Sequence, residues 1–239
     1  RYYNGYARMA AEELDFFIHL GDYIYETTGD PSFQKTTGRV ATFTDKAGAI
    51  VFNEGTDKEY FAAKSLSNYR ELYRTYRSDP ALRKMHESVP FICTWDDHEF
   101  SDDGYGDTAT YFDGRKDETD PDRRKAANQA WFEYMPVDFQ EEDFEYDPTA
   151  PFPGDIQIYR DFVFGKHMRL VMTDLRSYRT DHLIPEGPAD PEVGKFLVDS
   201  PLGSRTFVIK EPFDAREAAA APTMLGAVQR DWMIAALKE

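Results

Sequence analysis

Cysteine is nearly absent: Cys93 is the single one in 239 residues. That excludes an internal disulfide framework and a cysteine zinc cluster. No apolar run approaches the ~20 residues needed to span a bilayer. Basic charge is in the minority, with 28 Lys and Arg against 44 Asp and Glu and a formal charge of −16. A general nucleic-acid binder needs a basic face to neutralise phosphates, so nucleic acid is not expected as a stable partner. No charged segment followed by an apolar stretch opens the chain, so no signal peptide is visible. A mature secreted protein would have lost one, and the compartment stays open on this ground. The chain stops at WMIAALKE, inside what reads as an amphipathic helix, and is expected to belong to a longer protein.

What is present supports a packed domain. Hydrophobic residues make up 41% and aromatics 15%, enough for a real core. A prior of roughly 150 residues per domain allows one large domain or two small ones.

The apolar pattern predicts alternating strands and helices. Residues 4–14 read as a helix with Asn4 as cap. Phe16 to Leu20 form a short, nearly continuous apolar run, as in a strand buried on both faces. Residues 27–64 mix Gly, Thr, Asp and Lys and read as an insertion or long loop. Residues 65–88 read as helix, broken at Asp79-Pro80. PFICTW, 90–95, is a second buried strand. Residues 101–120 read as acidic loop and 120–135 as a helix with Asp120 at the cap and Pro121 in first position. Residues 156–164 and 167–174 form a hairpin about Gly165-Lys166. The stretch 181–222 reads as a surface excursion, and a last helix starts near Leu225. The alternation favours an α/β layered domain, and the hairpin implies a mixed sheet.

Acidic groups recur just after the buried strands, at Asp22, at Asp96-Asp97 and at Asp174. In α/β sheets, ligands sit beyond the carboxyl ends of strands. In GDYIYE, Asp22 has a carboxylate able to bind or bridge hard cations. Tyr25, three residues on, has a phenolate that suits Fe³⁺. The structural alternative makes Asp22 a turn cap and Tyr25 packed surface. In WDDHEF, two adjacent carboxylates repel, and a cation relieves that repulsion. His98 is a metal ligand or an acid facing a substrate oxygen. The alternative is an acidic helix N-terminus. Cys93 lies inside an apolar run and reads as a small core residue. His19, His86, His167 and His182 read as structural or surface.

GDxxY, a strand, and an Asp/Asn-His-Glu tripeptide form the layout of the calcineurin-like metallophosphoesterases. Within that superfamily the chain resembles the PhoD-like alkaline phosphatases. The resemblance is carried by HLGDYIYE, by Tyr69 to Pro80, by WDDHEF, by the A-x-F-E-Y-M-P-V-type stretch ending in Val137, by Y-R-D-F-x-F-G, by DLRSYR and by LGAVQRDW. It covers nearly the whole chain in the family's order.

The resemblance implies a metallophosphoesterase-type α/β sandwich forming one domain over residues 1–239. It implies Fe³⁺ and Ca²⁺, with other divalent metals as alternatives, and hydrolysis of phosphate mono- or diesters by a metal-activated water. By it, Asp22 is the bridging carboxylate, Tyr25 the ferric phenolate ligand and Asp97 the counterpart of the superfamily's Asn ligand. His98 meets the phosphoryl group, and Asp102 or Asp103 binds calcium. Arg176 is either a phosphate clamp or the ion-pair partner of a nearby carboxylate. The family implies a periplasmic or secreted location. It also places a cysteine ligand before the first helix and further ligands, including a histidine, beyond the LGxxQxxW helix. These 239 residues alone are therefore expected to supply part of a metal shell and to lack phosphatase activity. Two rival readings stand: a non-catalytic calcium module built on the acidic loops 101–122 and 141–147, and a phospholipase-D-like phosphodiesterase on the same scaffold. No EF-hand spacing supports the first. Oligomeric state is not legible.

Overall fold

The computed structural model describes residues 3–31, 34, 40–110, 117–137, 146–183, 194–197 and 205–238. Residues 111–116 and 141–145, which carry parts of the acidic loops, lie outside the described residues.

Helix α1 (Asn4–Met9) is shorter than the sequence pattern, and Tyr3 rather than Asn4 stands at its cap. Ala11 and Glu12 donate to carbonyls three residues back, which tightens the last turn and ends the helix. Strand β1 (Phe17–His19) follows. Strands β2 (Thr27–Thr28), β3 (Ile50–Phe52) and β4 (Tyr60–Ala62) form an antiparallel sheet in the order β2-β4-β3. The segment read as a long loop therefore carries a small sheet. Its strands are only two or three residues long, too short to show a period, and Phe52 stacks on Tyr60 with ring centres 4.6 Å apart.

Helices α2 (Leu66–Arg77) and α3 (Pro80–Ser88) meet at the expected break. Ser65 and Asn68 close a reciprocal capping box on α2, and Asp79 caps α3 through the Ala81 and Leu82 N–H groups. Strand β5 (Phe91–Cys93) is buried throughout. Strands β6 (Thr108–Ala109) and β7 (Glu118–Thr119) pair within the segment read as acidic loop. Helix α4 (Pro121–Tyr134) starts as expected, with Asp120 capping and Pro121 first.

Strands β8 (Arg160–Phe164) and β9 (Met168–Met172) make the anticipated hairpin. Strands β10 (Gly194–Leu197) and β11 (Arg205–Val208) pair antiparallel, and helix α5 (Lys210–Ala220) follows. The excursion at 181–222 thus contains a hairpin and a helix. Helix α6 (Gly226–Ala236) closes the described chain.

β1 and β5 run parallel, with Phe17 opposite Phe91, Ile18 opposite Ile92 and His19 opposite Cys93. The expected mixed sheet is not seen. Among the described residues there are four two-stranded sheets and one of three strands. The β8–β9 hairpin sits beside β5 through side chains instead of a ladder. The Arg160 guanidinium takes the Cys93 carbonyl at 2.8 Å, and the Thr94 hydroxyl takes the Thr173 carbonyl at 3.2 Å. β1 is not buried on both faces either: Leu20, just past it, is 72% exposed.

The core lies between α2 and α4, with α3 and β5 against it. Tyr69, Leu72, Tyr73 and Tyr76 of α2 face Ala127, Ala130 and Trp131 of α4. Full burial of each large side chain contributes about 1.5–3 kcal/mol. Cys93 is a buried core residue, its thiol pushed up to about 12 by burial. Two arginines of α4 are buried beside the aromatics. Arg123 donates to the Ala63 carbonyl and the Tyr69 hydroxyl. Arg124 lies about 5 Å from the rings of Trp95, Phe100 and Phe152. Both prop the segment that follows β5.

His19 and His86 are structural, as expected. Each has a ring nitrogen on a tyrosine hydroxyl: Tyr6 at 3.1 Å and Tyr23 at 2.8 Å. The Gly21 N–H donates to His19 Nδ1 at 3.4 Å, so the His19 proton is on Nε2. Burial lowers the His19 pKa from 6.5 to about 4. The folded pKa lies below the ordinary one, so the proton favours the unfolded chain. The stability is fully present above pH 6.5 and is lost as pH falls from there toward 4. His19→Gln is expected to flatten this acid-side loss by roughly 3 kcal/mol at most. Urea midpoints of both proteins between pH 7 and pH 4 check it. Identical slopes would remove His19 as the source.

Candidate metal centre

Parallel pairing brings the carboxyl ends of β1 and β5 together, and the loops leaving them touch. Gly21 has φ +104°, and a Cβ there would stand 2.2 Å from the Asp96 nitrogen. Only glycine admits this approach. Asp22 follows with φ +54°, an uncommon conformation for a residue with a side chain.

One buried carboxylate ties the two loops. Glu99 accepts the N–H of Asp22 at 3.0 Å, of Tyr23 at 2.5 Å and of Asp96 at 2.7 Å. Burial pushes Glu99 up to about 7, against the pull of those three donors. The sequence reading gave Glu99 no role of its own.

The loops deliver the acidic side chains to one place. Asp22, Asp97 and His98 offer donor atoms that lie within 4.8 Å of one another, and so do Asp97, Asp102 and Asp103. Asp97 is common to both sets. The Asp22 Oδ1 atom is buried and has no hydrogen-bond partner. Burial raises Asp22 to about 6; His98 pulls it down while Asp97 and Asp96 push it up. Asp97 ends below the usual carboxylate range. Its burial acts upward but is outweighed by Arg176, by the Asp103 N–H and by His98. That N–H lies 2.6 Å from Asp97 Oδ2, and Asp103 has φ +48°.

His98 is held by groups on both loops. Its Nδ1 lies 2.7 Å from Glu26 Oε2, and its Nε2 lies 3.5 Å from Asp102 Oδ1. The Tyr25 ring packs against it at a tilt of 39°, with centres 4.2 Å apart. Burial alone would lower the His98 pKa, but Glu26, Asp97 and Asp102 raise it to about 10. Glu26 also accepts the Asp102 N–H at 2.8 Å. Glu26 is buried. It ends the HLGDYIYE motif, and its position beside Tyr25 was the only signal that could have found it.

Arg176 is taken by carboxylates. It reaches Asp96 at 2.5 Å, Asp97 at 3.4 Å and Asp103 at 3.6 Å. The ion-pair alternative is what the geometry displays. Asp174 organises the loop that carries it. Asp174 Oδ1 accepts from Trp95 Nε1, from the Arg176 N–H and from the Ser177 N–H. The Gln229 side chain of α6 bonds both the N–H and the carbonyl of Asp174. DLRSYR and LGAVQRDW are thus two halves of one brace.

The donor set is oxygen-rich, with one imidazole, and holds a buried oxygen that nothing among the described residues satisfies. Such a set fits hard cations. Neighbouring carboxylates at this spacing would have to share protons without one. Glu99→Gln keeps the shape of the tie, but its NH₂ cannot accept from the backbone. It is expected to cost about 1–3 kcal/mol and to weaken cation uptake by loosening the Asp22 turn. Denaturant melts and calcium titration of the variant check this, and unchanged values in both would refute the role of Glu99.

Comparison with known proteins agrees with this geometry. The family model described as "PhoD-like phosphatase" matches residues 1–239. "Alkaline phosphatase D" of Bacillus subtilis (strain 168) is 34% identical over 190 residues, which is 80% of this chain and 28% of that protein. A solved structure titled "Structure of PhoD" superposes with a TM-score of 0.64 at 29% identity, covering 97% of this chain and 35% of that one. The chain spans about a third of the length of these relatives. No helix among the described residues is long and apolar enough to cross a membrane. The chain belongs to the PhoD-like phosphatase family.

Proposed function

We propose that this chain forms one metallophosphoesterase-type domain, residues 1–239, of a metal-dependent hydrolase of phosphate mono- or diesters. The observation that carries the reading is the pair of donor sets sharing Asp97 at the ends of β1 and β5, one containing the unsatisfied Asp22 oxygen.

In this reading Asp22 and Asp97 would hold the cations, Asp22 as the carboxylate shared between them and Asp97 as a ligand. Tyr25 supplies a phenolate to a ferric ion. Asp102 or Asp103 serves calcium. Cations held there supply charge neutralisation at the phosphoryl oxygens and acidify a water for attack on phosphorus. His98 contacts a phosphoryl oxygen or gives its proton to the leaving oxygen. Glu26 fixes the ring for that task by bonding Nδ1 and leaving Nε2 to face the acidic cluster. Glu99 holds the two loops in register but touches no substrate. A chain of charge −16 repels anions at long range, and cations at the cluster reverse that sign locally. A periplasmic or secreted location belongs to the same reading.

The test has two parts. Loading the protein that carries this chain with Fe³⁺ and Ca²⁺ is expected to produce a purple-to-brown phenolate charge-transfer band that Tyr25→Phe abolishes. In the protein that carries this chain, Asp22→Ala is expected to lower turnover of p-nitrophenyl phosphate and its diester by at least about 100-fold. Unchanged activity and metal content in Asp22→Ala would overturn the ligand role. Calcium uptake with neither colour nor turnover would favour a non-catalytic calcium module.

A further inference from the structure

Two arginines on the segment after β9 border the acidic cluster, and their partners differ sharply. Arg176 lies within 3.6 Å of Asp96, Asp97 and Asp103, which neutralise its charge, although its Nη1 is buried without a hydrogen-bond partner among the described residues. A guanidinium shared by three carboxylates has little charge left for an incoming anion. Arg179 bonds no carboxylate among the described residues. Its Nη2 lies 2.8 Å from His182 Nε2. Arginine only donates, so this imidazole nitrogen accepts and its proton is on Nδ1. Asp181 Oδ1 lies 3.8 Å from that Nδ1. The Tyr105 ring, two residues past Asp103 in the chain, lies edge-on to His182 with ring centres 6.3 Å apart. The Arg179 Nε is buried and has no hydrogen-bond partner among the described residues.

Arg179 nevertheless sits in the field of the site. Burial and Arg176 pull its pKa down, while Asp103, Asp96 and Asp97 pull it up. A half-buried cation whose donor is left unbonded beside a cation-binding cluster is matched to an anion that arrives with those cations. A guanidinium fork suits the oxygens of a phosphoryl group.

We propose that Arg179, steered by His182, is the side chain that grips the phosphoryl anion of the substrate, and that Arg176 serves instead to hold the acidic loops together. This rests on the cation-site reading above, and it assigns the anion contact within it. His182, set down by sequence as structural or surface, becomes a positioning residue for Arg179.

Inorganic phosphate is the probe, titrated calorimetrically into the protein that carries this chain, loaded with Fe³⁺ and Ca²⁺. Arg179→Gln is expected to weaken phosphate by about tenfold or more, with cation stoichiometry unchanged. Arg179→Lys keeps the charge without the fork and is expected to fall between. His182→Ala is expected to weaken phosphate by a smaller factor. Arg176→Gln is expected to disturb cation uptake first. Phosphate affinity equal in Arg179→Gln and the unaltered chain would overturn the assignment while leaving the cation site standing. If the unaltered protein that carries this chain takes up no cation, the cation-site reading falls and this one with it.

Discussion

Glu99 accepts three backbone N–H groups from two loops, and each loop alone would be free to turn away from the other. The bonds are charge-assisted and buried, which is where such bonds are strongest. They are also the reason a carboxylate can stay in a place whose burial works against its charge. Remove the tie and Asp22 loses the support of its left-handed turn, while Asp97 and His98 lose their fixed separation from it. Everything the cluster can do with a cation depends on that separation. The Gly21 contact with Asp96 works in the same direction, because no side chain stands between the loops.

Around this tie the charges are arranged in two layers. The inner layer is four carboxylates, Asp22, Asp97, Asp102 and Asp103, with the His98 imidazole among them. The outer layer answers it from neighbouring elements. Arg176 comes from the segment after β9, and Glu26 comes from the loop after β1 to balance His98. Deeper still, Arg124 bonds the Ser177 hydroxyl at 3.2 Å and packs on Trp95, whose indole N–H is held by Asp174. The buried arginines of α4 and the Gln229 clasp of α6 are therefore part of how the site keeps its shape, though none lies in it.

Much of this was legible in the sequence where local chemistry dominates. Asp120-Pro121 and Asp79-Pro80 announce helix starts because caps act within three residues. PFIC reads as a buried strand because every residue of it is apolar. Asp22 and the WDDHEF acids were found because carboxylates rarely abut such strands without a purpose. The failures share a cause as well. The three-residue strands of the 27–64 sheet are shorter than any period, and the β8–β9 hairpin meets β5 through the Arg160 side chain, a link that no pattern encodes. Glu99, Glu26 and Gln229 take their importance from partners 55 to 77 positions away. A single sequence does not display contacts of that range.

Asp22 and Asp103, one in each donor set, both have positive φ. Such backbone costs on the order of 1–3 kcal/mol per residue and persists only when its surroundings over-determine it. Here they do, in two different ways. The Asp22 N–H is fixed by Glu99, and the Asp103 N–H is fixed by Asp97. In the second case the carboxylate that holds the strained turn is itself the group shared by both donor sets. A cation drawing on Asp97 would thus compete with the Asp103 N–H for its oxygens, and would be linked to the shape of the loop that brings Asp102 and Asp103 in. The two donor sets share that one carboxylate, so a cation filling one would alter the geometry offered to the other.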